Sequence, residues 1–251
     1  MSTLAQTRPR SPTEIVDASF QYFKAHAGDL LVLCALLLVP PMLIKAITPA
    51  PFNIIFEIAT NVMLLVSQGA VALHVAAALE EDSALTAGEV LRRLGEGRVG
   101  NVIIVAIMGG ILMGLGLLLL VIPGIIVAVW LAVSTPVAAI EGRRNSDALG
   151  RSRELARGHF WHVALTMLLA WVIFVVLAFG ATIVLGIVLA MVGLPERLIE
   201  LVAGVVLVPL FPLVAVATSL LYFDLRIRRE GADMLALAEM LPTAPVRAEA
   251  P

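Results

Sequence analysis

Residues 102–140 read VIIVAIMGGILMGLGLLLLVIPGIIVAVWLAVSTPVAAI, 39 positions without one Asp, Glu, Lys or Arg. As a single helix rising ~1.5 Å per residue the stretch would be about 58 Å long, twice a hydrocarbon core of about 30 Å. It therefore predicts two membrane crossings with a reversal between them. Ile122-Pro123-Gly124-Ile125 has the turn chemistry, since proline presets the second position of a turn and glycine accepts a positive φ at the third. Hydrocarbon cannot hydrogen-bond a peptide group, so such a run satisfies its backbone within helices; a transmembrane barrel would need alternating polarity.

The chain of 251 residues as a whole agrees, with 60% hydrophobic and 14% charged side chains, a composition outside the soluble range. The net charge of -2 decides little, because orientation follows the placement of Lys and Arg alone. Cys34 is the single cysteine and forms no intramolecular disulfide, so nothing points to an oxidising compartment. Arg8 and Arg10 ahead of an apolar run do not make a secretory signal: about twenty helix-like residues intervene, and no small-x-small cleavage site follows.

Residues 30–47 form a first span, interrupted by Pro40 and Pro41 and carrying Lys45 at its far end. Residues 54–79 form the second, and the hairpin at 102–140 the third and fourth. Residues 160–194 again lack Asp, Glu, Lys and Arg for 35 positions, and 201–223 follow with Pro209 and Pro212. Length alone permits a seventh crossing, and the arginines decide against it. With six crossings, Arg8, Arg10, Lys24, Arg92, Arg93, Arg98, Arg143, Arg144, Arg151, Arg153, Arg157, Arg226, Arg228, Arg229 and Arg247 are cytoplasmic, and only Lys45 and Arg197 lie outside. The expectation is an all-α polytopic membrane protein of six transmembrane helices, both ends cytoplasmic, with an overlong fifth helix tilted or bent near Gly180 and Gly186.

About three cytoplasmic amphipathic helices are expected at the interface. Ser11-Pro12-Thr13-Glu14 is a helix start, and Val16, Phe20 and Phe23 share the side that follows. Residues 86–98 carry Val90, Leu91 and Leu94 among arginines, and 146–161 carry Leu149, Leu155 and Phe160. The membrane domain, residues 11–242, thus divides into three units of interfacial helix plus hairpin, at 11–79, 84–140 and 145–223. Residues 1–10 and 243–251 are expected to be disordered tails.

Two polar sets are candidates for function. Asp17, Glu141, Arg151, Arg153, Arg157, Asp224, Arg226, Arg228 and Arg229 fall in one layer. They are topological anchors, a clasp joining the units, or a binding site for anionic headgroups or phosphodiesters. Glu57, Asn61 and Gln68 fall within about 40° of one another on the second span, as helix packing polar groups or the wall of a solute path. Gly110-x-x-x-Gly114 with Gly109 and Gly116 predicts a close helix contact, within the chain or across a dimer. His159 and His162, with His26 and His74 at similar depth, do not make a metal-ligand pattern, and no metal or cofactor is expected.

Two segments resemble a known family: Glu141-Gly142 leading into Ala148-Leu149-Gly150-Arg151-Ser152-Arg153-Glu154-Leu155-Ala156-Arg157-Gly158-His159-Phe160-Trp161, and Leu221-Tyr222-Phe223-Asp224-Leu225-Arg226-Ile227-Arg228-Arg229-Glu230-Gly231. They are similar to the bacterial glycerophosphoryl diester phosphodiesterase membrane-domain family, a pattern that Ile122-Pro123-Gly124 and Val16-Asp17-Ala18-Ser19-Phe20 also fit. The resemblance implies a bacterial inner-membrane location. Catalysis in that family belongs to a separate soluble barrel, and 251 residues that form six membrane helices leave no room for one, so the hydrolase activity is not carried over. The expected function is a non-enzymatic scaffold or lipid-interacting module, with membrane lipids, further copies of the chain or a membrane protein as partners and no nucleic acid. The alternative is a small-solute or lipid transporter using proline-broken first and sixth helices.

Overall fold

A computed structural model describes residues 9–81, 85–193 and 195–240, with side chains except at 190 and 232–240. The chain is an all-α, multi-pass membrane protein: six helical stretches are long and apolar enough to cross a bilayer, and the described residues contain no strand. A short helix followed by an apolar hairpin occurs three times in the element order.

The first unit opens with α1 (Pro12–Ala25), capped as its sequence predicts. Ser11 Oγ accepts from the Glu14 N–H at 3.3 Å, and the Glu14 carboxylate accepts from the Ser11 N–H at 2.8 Å, so two N–H groups otherwise without partners are satisfied. Rather than lying free on a leaflet, α1 buries Ile15, Val16 and Ser19 as a wedge against the last two spans. The first span, α2 (Ala27–Ile47), runs continuously through Pro40 and Pro41. Its partner α3 (Asn53–Glu80) is the central helix of the bundle. From Val66 to Ala77 nearly every position is buried, and Ser67, Gly69, Ala70, Ala72, Ala76 and Ala77 let neighbouring backbones approach. Between apolar helices in lipid the drive is packing rather than release of water, which is why small residues gather there.

The second unit begins with α4 (Ala87–Gly95), started by a Thr86–Glu89 capping box and buried through Ala87, Val90 and Leu94. Gly97, at φ 92°, then turns the chain into α5 (Arg98–Leu119). The reversal of the hairpin falls at Leu120 alone (φ -169°, ψ 150°), not at Pro123-Gly124. Those residues lie in the first turn of α6 (Val121–Trp130), where the missing proline N–H has no intrahelical partner to lose. What the glycines supply is closeness. A Cβ on Gly116 would stand 2.9 Å from Gly124 Cα, and one on Gly124 would stand 2.5 Å from the Leu117 side chain. A Cβ on Gly110 or Gly114, by contrast, would meet nothing within 4 Å, so the hairpin contact uses Gly116 and the predicted GxxxG pair makes no close approach among the described residues. The fourth span breaks at Leu131–Val133 before α7 (Ser134–Ile140), because Pro136 has no N–H to offer the Ala132 carbonyl.

The third unit starts with α8 (Asn145–Ala156), whose Ala148, Leu149, Ser152, Leu155 and Ala156 are buried. The fifth span, α9 (Phe160–Val192), is one unbroken helix of 33 residues, so Gly180 and Gly186 do not interrupt it. At about 1.5 Å per residue it is some 50 Å long, well beyond a bilayer core. The sixth span does break where prolines predict. Its first part, α10 (Glu196–Leu207), gives way to a 3-10 turn at Val208–Leu210 around Pro209, and α11 (Phe211–Met240) follows.

The tails expected at 1–10 and 243–251 fall outside the described residues except for Pro9 and Arg10, and Arg10 is held against α11.

Candidate functional site

Most of the predicted charge layer is a clasp, built at the end of the bundle where α1 begins and α3 and α7 finish. Asp224 on α11 is buried, with its carboxylate 2% exposed. It accepts from the Arg10 N–H at 2.6 Å, from His162 Nε2 on α9 at 2.9 Å and from Arg228 Nε at 2.7 Å. A buried carboxylate is tolerable only with such partners. Arg228 also donates to the Arg10 carbonyl at 2.7 Å. Glu141, just past α7, accepts from the Tyr222 hydroxyl at 3.0 Å, from Arg143 at 2.6 Å and from Arg151 of α8 at 3.4 Å. Arg226 completes the connection, reaching Glu80 of α3 at 2.7 Å and Glu230 at 3.0 Å. These pairs join all three units.

Three arginines of the predicted set stand apart from this clasp. Arg153 lies over the ring of Trp130, 4.5 Å from its centroid; Arg157 has no hydrogen bond or ion pair among the described residues; and Arg229 approaches Glu154 at only 3.9 Å, with its Nε buried and without an acceptor. Together with Gly150 and Glu154 they surround an open cleft of about 510 Å³. A second cleft, of about 390 Å³, lies among Glu80, Glu141, Glu230, Arg151 and Arg226, whose arginines already have carboxylate partners. Asp17 belongs to neither: it is exposed on α1 and accepts from Gln21 at 2.7 Å.

The polar stripe of α3 does not act as a unit. Glu57 pairs with Lys45 of α2, which also pairs with Glu200 of α10. These three line an open cleft of about 180 Å³ together with Thr60, Arg197 and Gly204. The two cations predicted to lie away from the other fifteen therefore share one site. Asn61 turns back to the Glu57 carbonyl at 2.9 Å, and Gln68 is half-buried; neither lines the cleft.

Several partners were not visible in the sequence reading. His162 serves Asp224, and His26 and His74 meet around Tyr22, whose hydroxyl is 2.7 Å from His74 Nδ1. Among the described residues no group of three His, Cys, Asp or Glu is placed to hold a metal ion. The i,i+4 spacing of Arg226 and Glu230 signals that pair, as the i,i+3 spacing of Arg151 and Glu154 does theirs, whereas Glu80 and Trp130 have no local signal of their partners. No family model, curated protein or solved structure matches the chain.

Proposed function

We propose that this protein is a non-enzymatic scaffold or lipid-interacting module of a bacterial inner membrane, with both chain ends in the cytoplasm. The observation that carries the reading is the clasp: Asp224, Glu141 and Glu80 spend their charge binding helix to helix, an architecture suited to holding a rigid shape in the bilayer. The orientation is supported by the segregation of Lys45 and Arg197 at one end from the other basic residues. The resemblance to the glycerophosphoryl diester phosphodiesterase membrane-domain family supports the bacterial location, and the exposed apolar side chains of α9, among them Trp171, Val176 and Phe179, are a surface suited to lipid.

Extraction into native nanodiscs, followed by mass spectrometry of lipid and protein, tests this reading. An anionic lipid or a stoichiometric membrane protein enriched over the bulk membrane is the expected result. Bulk composition combined with solute flux in proteoliposomes overturns it. Gly88→Cys and Ala50→Cys, both at exposed positions, are expected to react with an impermeant maleimide from the cytoplasmic and outer sides respectively.

The outer cleft favours a second reading, a transporter for a small solute. It opens between α2, α3 and α10, next to the break at Pro209. Glu57→Gln in a flux assay tests that reading, and unchanged flux removes it.

A further inference from the structure

We infer that the cleft among Trp130, Arg153, Arg157 and Arg229 holds the phosphate group of an anionic membrane lipid. This assignment deepens the reading of the chain as a lipid-interacting module and rests on it. A guanidinium presents five N–H donors in a planar fork that matches the non-bridging oxygens of a phosphate. Most arginines of the neighbouring clasp have used this capacity on carboxylates, as Arg151, Arg226 and Arg228 do. Around the cleft the balance is reversed. Three guanidiniums face one carboxylate, Glu154, which is shared with Arg151.

None of the three is satisfied, and two, Arg153 and Arg229, are held in place. The Trp130 ring supports the flat face of Arg153 and leaves its edge free to donate. Arg157 follows the last turn of α8 and is exposed, with no hydrogen bond or ion pair among the described residues. Arg229 has its Nε shut away from solvent with no acceptor. The side chain as a whole is 42% exposed and lines the cleft, so its exposed part is what an incoming acceptor meets. The cleft, at about 510 Å³, is larger than a bare phosphate needs and leaves room for the rest of a headgroup.

The surroundings favour a lipid over a free anion. Four residues beyond Arg157 the chain has entered α9, where Trp161 is 75% exposed and Leu165 and Leu168 also face outward. That gives an apolar wall for acyl chains next to the basic corner, with a tryptophan of the kind found at headgroup depth. The second cleft lacks this character, since Glu80, Glu141 and Glu230 outnumber Arg151 and Arg226.

The test uses the full chain in nanodiscs of phosphatidylcholine with a minor share of phosphatidylglycerol, and native mass spectrometry of the lipid retained on release. Arg157→Gln removes an exposed, unpaired side chain and is expected to keep the fold while lowering phosphatidylglycerol retention about tenfold. Arg153→Gln, Arg157→Gln and Arg229→Gln together are expected to abolish it. Arg92→Gln, an exposed arginine of α4 outside the cleft, serves as the charge control and is expected to change nothing. Equal loss in that control reduces the effect to surface charge and overturns the site. Millimolar inorganic phosphate that displaces the lipid as well as phosphatidylglycerol does would make the cleft a free-anion site and overturn the lipid assignment. Enrichment that survives all three substitutions would remove this site while leaving the lipid-interacting reading in place.

Discussion

Asp224 and Arg228, paired at 2.7 Å one helical turn apart, grip opposite sides of Arg10: the carboxylate takes its backbone N–H and the guanidinium its carbonyl. The chain just ahead of α1 is thereby fastened to a helix more than 200 positions later, without use of the Arg10 side chain. Arg10→Ala should therefore be nearly neutral, within about 0.5 kcal/mol. Asp224→Asn, which leaves Arg228 and His162 facing an amide, should cost about 3 kcal/mol. Thermal unfolding in detergent separates the two, and equal effects would show that the clamp does not operate.

The approach of α3 to α5 depends on the absence of a side chain at Gly69, where a Cβ would stand 2.9 Å from Val102 Cγ2. Gly69→Ala should destabilise by about 1–3 kcal/mol through overpacking, since both positions lie in the core. Val102→Ala removes the opposing methyl groups and should recover part of that loss in the double variant. A double-mutant cycle that shows strict additivity would place the damage elsewhere.

Acid should loosen α4 before the bundle. Hydrogen bonds from Arg93 hold the Glu81 carboxyl below its ordinary value, and the N–H and hydroxyl of Thr86 do the same for Glu89. A carboxylate depressed in the folded state stabilises it above the unfolded value, and this contribution is lost as pH falls through the folded one. Order in α4 should hold from neutral pH to about pH 5 and decline below about pH 4. A spin label at Gly88→Cys, on the exposed side, reports this, and Glu81→Gln should raise label mobility already at neutral pH.

The ion pairs of Lys45 should matter more for position than for stability. Lys45 joins Glu57 and Glu200, both more than half exposed, and such pairs are worth about 1 kcal/mol or less. Helix α10 buries none of its residues, so little else holds it to α2. Lys45→Ala should leave the melting temperature nearly unchanged and increase the maleimide reactivity of Leu201→Cys in the cleft severalfold. Unchanged reactivity would show that the close approach at Gly204, where a Cβ would stand 3.5 Å from Met42 Sδ, is enough to seat the helix.

The crossings were legible because they depend on composition over about twenty residues, and no tertiary contact can make such a run soluble. The Ser11 cap was legible because its geometry is local. Proline was less reliable. Pro40 and Pro41 sit inside a continuous helix, Pro209 breaks one, and Pro136 marks a break that was not anticipated. A proline removes a hydrogen bond wherever it stands, but whether the helix yields depends on what packs around the freed carbonyls.

The charge layer shows the same division. Its arginines were identifiable one by one, and the i,i+4 spacing of Asp224 and Arg228 signals their pair, yet nothing local marks Arg229 as left with a buried donor or Glu80 as the second partner of Arg226. By itself the sequence determined the class of protein, the number of crossings and the segregation of cations, because hydropathy and charge act segment by segment. Beyond the i,i+4 pairs Asp224–Arg228 and Arg226–Glu230, the tertiary structure decided how the arginines are satisfied, since Glu80 reaches Arg226 and the Arg10 carbonyl reaches Arg228 from distant parts of the chain, and only packing brings them within hydrogen-bonding range.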